Sequence, residues 1–551
     1  MANKVKLPCG CELEAGENGQ VLIPLRVEEV PECQATWDMI CEGNTKGVFQ
    51  LESQLGRSKA KQAKPRTIEE LADLISILRP GTGDAIVDGK SLTQHYIDRK
   101  IGKDRVIYPH PALENILKDT YGVIVYQEQA MKISELVAGF NLQQADDLRK
   151  AIGKKKVELM EKVKNNFISC AKTLNKFTEE EIHNIFALIE KAQRYSFNKS
   201  HAVAYATLGY HTVYAKLHAI LPFFTSCLRH AHGKPDPMEE KNELINNAKM
   251  MDLEIRPPSI LYNNKEFKIK DNIITFGLTD IKGIGDSVYN KYRKRLKELK
   301  TKNPNFKLED ITWQEFLIKF CPYIKSDALQ SMISVGALDC FKVSRNKMLY
   351  EYGMYKQLKE EDIFELSSSD HTELIKAIVS IIEKTNKKNQ TVHTAKYKDL
   401  LDGCIMSIQS PSYSTVDMPS WKAKQEEIKL STSITSHILD EYDMSNANMT
   451  CLEYIKGQQS KAIAIGCEIE YVREYKVKRG ENAGKMMAYL KISDHSAILD
   501  NVVVFCKELE TYKNLLFPSS LVLVRGIKDA KTGDFILKSI QKLEKLKLNH
   551  I

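Results

Sequence analysis

With 551 residues, 80 Lys and Arg against 72 Asp and Glu and a formal net charge of +8, the chain is mildly basic and of ordinary composition, 43% hydrophobic and 28% charged. That length exceeds what one hydrophobic core organises and implies roughly three or four domains of about 150 residues. No run of about 18 apolar residues exists to cross a bilayer, and the first residues, MANKVKLPCGCELEAG, lack the apolar stretch and cleavage site of a secretion signal. The expected compartment is therefore the cytoplasm, that of a host cell if the source is a virus, with no membrane partner.

In chain order, residues 1–36 contain CELEAGENGQVLIPL, where Glu17-Asn18-Gly19-Gln20 separates two partly alternating apolar runs and predicts a short β element. The twelve cysteines are scattered irregularly and are expected to be reduced thiols. Cys9-Gly10-Cys11, with Cys33 and Cys41 downstream, offers zinc ligands, but Cys-x-Cys is tighter than the usual gap of two to four residues, so core or surface thiols are expected and no metal site is assigned. Residues 37–260 are mainly helical, broken at Leu78-Arg79-Pro80-Gly81 and Tyr108-Pro109-His110-Pro111. TYGVIVYQEQ (120–129) predicts a buried strand running into a polar helix start, with Gln127 and Gln129 structural. Thr178 and Glu181 form a capping box before Ile182, Ile185, Phe186 and Ile189. A second helix is predicted from about Ser200, with the stripe Val203, Ala206, Tyr210, Val213, Tyr214 and Leu217, ending at Leu221-Pro222.

Residues 261–345 hold a strand, IITFGL, the loop Lys282-Gly283-Ile284-Gly285 and a basic helix, YNKYRKRLKEL. Residues 346–458 are polar, with helical pieces but no long-range pattern, and suggest a variable connector. In residues 459–551 the period changes to two, through Ile463, Ile465, Cys467, Ile469 and Tyr471 and then MMAYLKI, NVVVFC, SLVLVRGI and DFILKSI, predicting a five-stranded barrel of the OB type.

Two segments invite anion chemistry. RKAIGKKKVELMEKVK (149–164) is dense in lysine, with Gly153 interrupting the helix; it suits a phosphate partner and equally a solvated helix face. Phe197-Asn198-Lys199-Ser200-His201 places polar and cationic groups at a loop-to-helix junction, where it either binds an anion or simply caps the helix.

GVFQLES (47–53), ISILRPG (75–81), YIDRKIG (96–102), TYGVIVYQEQ (120–129), LRKAIGKKK (148–156) and FNKSHAVAYA (197–206), in this order and spacing, resemble the fingers of the DNA polymerase III alpha subunit, the family C replicative DNA polymerases of bacterial type. FGLTDIKGIG (276–285) and LQSMISVGALDCF (329–341) resemble the helix-hairpin-helix region that follows, and 460–545 the family's OB domain. The implied fold class is a multidomain chain, with mainly α fingers and helix-hairpin-helix region followed by a small all-β OB-type barrel. The implied partners are primer-template DNA and an incoming dNTP. On the nucleotide side the matching positions are Arg149 and Lys150, the second a lysine where the family usually has arginine, with Arg79, Lys154, Asn198, Lys199 and His201. On the DNA side they are Arg99 and Lys100, with Lys155, Lys156, Lys282, Gly283 and Gly285 as further DNA-binding candidates. On the barrel itself Tyr471, Tyr475 and Tyr489 offer faces for base stacking and Lys476, Lys478, Arg479 and Lys485 supply charge along the intervening loop, unless the tyrosines are core and the lysines merely solvated.

The resemblance also implies chemistry these residues do not carry. Family members hold Mg²⁺ on carboxylates of a palm domain, yet no Asp-x-Asp occurs here, and Asp146-Asp147 lie about 100° apart on one helix. The expectation is a component of a DNA-directed DNA polymerase that works with a separately encoded, palm-containing chain holding the Mg²⁺. The alternative is a non-catalytic protein that binds single-stranded or primer-template DNA. Glu361-Asp362-Ile363-Phe364 stands where the family carries a short sliding-clamp motif, without the expected glutamine, which leaves the clamp as a candidate partner.

Overall fold

The computed structural model describes residues 4–16, 21–24, 26–79, 86–87, 89–154, 157–192, 195–324, 326–367, 373–388, 395–410, 416–457, 462–477, 481–530 and 532–546. The chain forms two compact units, Met1–Phe223 and Phe224–Ile551. Among the described residues, no helix is long and apolar enough to cross a membrane.

The first unit begins with a hairpin of β1 (Lys4–Lys6) and β2 (Glu12–Glu14), antiparallel with Val5 opposite Leu13. Its turn is closed by the Leu7 N–H donating to Cys11 O at 2.8 Å, with Gly10 at φ +90°. The turn predicted at 17–20 lies outside the described residues, flanked by a single antiparallel bridge between Ala15 and Val21. Helices α1 (Gln34–Cys41), α2 (Gln54–Ala63), α3 (Ile68–Ile77) and α4 (Leu92–Lys100) follow, the last preceded by the short antiparallel strands β3 (Ile86–Val87) and β4 (Lys90–Ser91). Ser53, Thr67 and Ser91 cap the last three, each accepting a backbone N–H three residues ahead.

Helices α5 (Gln127–Ala138), α6 (Leu142–Lys154), α7 (Val157–Leu174) and α8 (Glu179–Ala192) share one core, in which Ile133, Val137, Leu148, Phe167 and Phe186 are buried together. The predicted capping box is present: Thr178 Oγ1 accepts from the Glu181 N–H, and Glu181 Oε2 accepts from the Thr178 N–H at 2.8 Å. TYGVIVYQEQ is not a strand in a ladder. Its buried residues Val123–Tyr126 run extended, but the Gln129 side chain accepts the Val125 and Tyr126 N–H groups at 2.8 and 2.9 Å, and only an isolated bridge joins Tyr126 to Phe197. A side chain does here what a neighbouring strand would do.

Helix α9 (Lys199–His218) is capped by Asn198 and buries Ala202, Ala206, Tyr210, Val213 and Tyr214. The helix ends at His218, just ahead of the stop predicted at Leu221-Pro222. A further helix, Ile220–His230, starts just before it, placing Pro222 in a first turn, where the missing N–H would have had no partner.

In the second unit, β5 (Ile255–Arg256), β6 (Lys268–Lys270) and β7 (Ile273–Thr275) form a small sheet in the order β5-β7-β6, followed by Lys282–Gly285 and the basic helix α10 (Asp286–Lys302). The segment expected to be a variable connector, 346–458, is tied to the preceding region through Glu426. Arg345, 1% exposed, donates to Glu426 Oε1 at 2.9 Å, Asp339 Oδ2 at 2.8 Å and Ser334 O at 3.1 Å. A Cβ at Gly336 would meet its guanidinium at 2.1 Å, so this approach requires glycine. Arg345 and Glu426 are thus the centre of a buried polar network.

The C-terminal strands close as predicted. β8 (Ile463–Lys476), β9 (Met486–Ser493), β10 (Ile498–Val504), β11 (Leu521–Lys528) and β12 (Phe535–Lys542) form a barrel in the order β10-β12-β11-β8-β9, consistent with an OB-type fold. Alternate residues Ile463, Ile465, Cys467 and Ile469 point into its core with Leu490, Val504, Val524 and Leu537.

Candidate functional site

The start of α9 is built by Asn198. Its Oδ1 accepts the His201 N–H at 2.9 Å and its Nδ2 donates to Glu128 Oε1 at 3.0 Å, while Glu128 Oε2 accepts the Lys199 N–H at 3.0 Å. A carboxylate already answers one first-turn donor and the cap a second, so the junction is not the bare anion site that its residue types suggested. What it does is aim side chains. Lys199 Nζ lies 5.7 Å from the Tyr126 ring centroid, and the His201 ring lies 5.4 Å from Phe197 and 4.0 Å from Tyr205. The Arg79 guanidinium covers Phe197 at 4.5 Å, and Phe49 stacks on Tyr205 at 4.9 Å. Arg79, Phe197, His201, Tyr205 and Phe49 thus form a continuous wall, one guanidinium on a run of four rings, a pairing that suits phosphate and base together.

Sequence reasoning missed the residues that hold this wall. Lys216, fully buried, donates to Lys46 O at 2.9 Å and Asn44 O at 3.2 Å, fixing the loop that presents Phe49. Asp73, also buried, accepts the Tyr126 hydroxyl at 2.6 Å and the Tyr96 hydroxyl at 2.9 Å. Burial pushes its carboxyl up to about 6, against the pull of the two hydroxyls and the Lys199 charge. Tyr205 could have been found from its i+4 spacing to His201, and Phe49 from its place in GVFQLES. Lys216 and Asp73 carry no local signal.

Arg149 and Lys150 share Asp146 on α6. Arg149 Nη2 is 2.9 Å from Asp146 Oδ1 and Lys150 Nζ 2.8 Å from Oδ2, with Asp147 at 3.6 Å from the lysine. The bonds from Lys150 and then Arg149 hold the Asp146 carboxyl below its ordinary range. Both cations are roughly 40% exposed, so their pairing is of the screened, exchangeable kind. Lys154 is the last residue of α6, and Lys155 and Lys156 lie outside the described residues.

Arg99 and Lys100 serve the packing of the unit. Arg99 donates to Tyr121 O at 3.0 Å, and Lys100, 10% exposed, pairs with Glu70 at 2.9 Å. A lysine so covered is not presented to a DNA backbone.

In the second unit, Lys282 is exposed and its N–H donates to Lys429 O at 2.9 Å. Gly283 has φ +97°, which favours glycine. Gly285 caps α10 at an ordinary φ of −100°, and a Cβ there would meet nothing within 4 Å. The hairpin is therefore open to close approach by a phosphate backbone. On the barrel, Tyr471, Arg473 and Tyr475 project from one exposed face of β8, Arg473 lies over Tyr475 at 4.8 Å, and Tyr489 meets Tyr475 edge-on at 5.4 Å. The tyrosines at 471 and 475 are surface groups, not core. Lys476 and Lys485 are exposed beside them; Lys478 and Arg479 lie outside the described residues. Glu361-Asp362-Ile363-Phe364 lies within the helix Glu360–Ser367, with Asp362 buried and Phe364 77% exposed.

Mg²⁺ prefers hard oxygen donors. Among the described residues, Asp146 is taken by two cations, and the one cluster of three or more potential metal ligands consists of thiols and an imidazole. These residues do not fit Mg²⁺.

Residues 17–175 match the family model of the bacterial DNA polymerase III alpha subunit finger domain, and residues 252–348 match a helix-hairpin-helix motif. The DNA polymerase III subunit alpha of Aquifex aeolicus is 33% identical over 518 residues, covering 92% of this chain and 38% of that protein. Those of Borreliella burgdorferi and Thermus aquaticus are 28% identical over 539 residues and 36% over 313, covering 96% and 56% of this chain and 43% and 24% of theirs. The chain spans less than half the length of these relatives. The finger and helix-hairpin-helix matches, in the same order as the two units' features and followed by a closed barrel, together with DNA polymerase III subunit alpha relatives over most of the chain, support its likeness to the C-terminal part of a bacterial-type DNA polymerase III alpha subunit.

Proposed function

We propose that this chain is the nucleotide- and template-handling portion of a replicative DNA polymerase, binding an incoming dNTP and primer-template DNA while Mg²⁺ is held by palm carboxylates outside these 551 residues. The observation that carries the reading is the α9 wall. Arg79, Phe197, His201, Tyr205 and Phe49 come from three separate segments, each within a motif that resembles the fingers, and meet as one guanidinium on a run of rings. In this reading Arg149 and Lys150 exchange the shared Asp146 carboxylate for a triphosphate, whose higher charge outcompetes one exposed carboxylate. Lysine at 150 keeps the charge but not the two-pronged geometry of arginine. The hairpin at Lys282–Gly285 meets the duplex backbone, and the β8 face stacks single-stranded template bases.

The test is primer extension with the purified chain, alone and mixed with a palm-bearing polymerase chain. Alone it should bind primer-template and add no nucleotide; with the palm it should extend. Nuclease-free extension by the chain alone overturns the division of labour. DNA binding that never yields extension with any palm chain favours the non-catalytic alternative.

A further inference from the structure

Cys9, Cys11, Cys33 and His218 come together in the first unit, their sulfur and ring-nitrogen atoms all within 4.8 Å of one another. His218 Nε2 lies 3.8 Å from Cys9 Sγ and 3.5 Å from Cys33 Sγ, across 209 and 185 residues of chain. In a tetrahedral zinc site with Zn–S near 2.3 Å and Zn–N near 2.05 Å, sulfur–nitrogen edges are about 3.5 Å and sulfur–sulfur edges about 3.8 Å. The geometry points to a structural Zn²⁺ site of three cysteines and one histidine, formed by Cys9, Cys11, Cys33 and His218. Cys41, the other downstream cysteine, is not part of it; its thiol donates to Pro65 O at 3.3 Å.

Each element supplies its ligand for a local reason. The turn of the β1–β2 hairpin, with Gly10 at φ +90°, folds Cys9 and Cys11 onto one side, which is how a Cys-x-Cys pair reaches a single metal despite its short gap. Cys33 is the N-cap of α1, where the helix dipole favours thiolate, and His218 is the last residue of α9. Two buried hydroxyls around the cluster lack a hydrogen-bond partner, Thr36 Oγ1 and Tyr214 Oη. Thr36 stands beside the Cys33 sulfur and Tyr214 beside Cys11. Donors left without an oxygen or nitrogen acceptor but facing sulfur are what outer-sphere support of metal-bound thiolates requires.

The site also answers a stability question. Two three-residue strands with Leu13 as their one buried side chain cannot hold a hairpin in place by themselves. A metal joining the hairpin to the start of α1 and the end of α9 supplies the missing anchor. Four protein donors leave no open position, and His218 sits seventeen residues, or about 26 Å of helix, from His201, so the site is structural and sets where α9 lies. Cys9, Cys11 and His218 all fall outside residues 17–175, so the finger match does not account for the cluster.

The test uses the full chain, purified under reducing conditions without chelator. Elemental analysis should give one zinc per chain, and Co²⁺ exchanged into the site should show thiolate-to-metal charge transfer and the intense visible bands of tetrahedral coordination. Cys11→Ser and Cys33→Ser should lose the metal, whereas Cys41→Ser and Cys227→Ser should retain it. Because a ligand loss could unfold the chain, His218→Cys is the control: it should keep one zinc and shift the cobalt bands toward all-sulfur ligation. Metal-free wild-type chain with all thiols titratable, a disulfide among Cys9, Cys11 and Cys33 in freshly purified protein, or full zinc content in Cys33→Ser would each overturn the assignment.

Discussion

Arg345 and Arg149 each lie within 2.8–2.9 Å of a carboxylate, yet the Arg345 side chain is 1% exposed and that of Arg149 39%. Arg345 faces Glu426, itself fully buried, and three further acceptors, Asp339 and Ser334 close by in the chain and Thr435 90 residues on; neither partner of the buried pair can leave without stranding a charge. Arg149 faces Asp146 one turn back on its own helix, both in water, and can release it at small cost. The same ion-pair chemistry is thus an anchor in one unit and a reserve of available charge in the other. Burial of the partner decides which.

The largest effect that would break this comparison is at the anchor. Arg345→Ala removes the ion-pair partner of buried Glu426, and should destabilise the second unit by about 3–5 kcal/mol in denaturant unfolding. A loss below about 1 kcal/mol would mean that water reaches the pair and that the two arginines are alike. At the reserve, Arg149→Ala should raise the nucleotide Michaelis constant of the palm-supplemented polymerase roughly tenfold to a hundredfold, with primer-template affinity and melting temperature little changed. Equal losses of DNA and nucleotide binding would make Arg149 a general backbone contact.

A smaller effect is expected on the barrel, where charge and ring are both exposed. Replacing Tyr471 and Tyr475 together by alanine should weaken single-stranded oligonucleotide binding by roughly tenfold or more while leaving the salt dependence unchanged, since stacking is lost and phosphate contacts stay. An altered salt slope with no loss at low salt would assign the face to phosphate alone.

The smallest effect concerns Asp73, a buried carboxylate with hydroxyl partners in place of a cation. Its folded value of about 6 lies above the ordinary 3.8, so the folded state holds the proton more tightly between those values. Asp73 therefore contributes most to stability below about pH 4, and that contribution is lost as pH rises through 6. Wild-type chain should lose more stability between pH 4 and pH 6.5 than Asp73→Asn, measured as a difference of melting temperatures. Identical profiles would show that the tyrosine hydroxyls offset burial in full.

The sequence by itself determined whatever rests on local periodicity and local capping. Alternation from Ile463 announced the barrel and the Thr178–Glu181 box announced α8, because side-chain period and cap geometry depend only on neighbours within a few residues, and five of the six motifs in fixed order fall within the finger match at 17–175. Only the tertiary structure decided which polar groups work and which support. Lys100 and Arg99, basic in sequence, are spent on Glu70 and a backbone carbonyl, while Lys216, Asp73 and Arg345 gained partners 23 to 172 residues away. The cysteines show the limit most clearly. A Cys-x-Cys pair read locally argues against a metal, and although Cys33 was legible as a candidate, His218 was invisible until the fold set the end of α9 beside the start of the chain. Local sequence fixes the directions in which side chains leave the backbone; what stands there to meet them is set by packing between segments far apart in the chain.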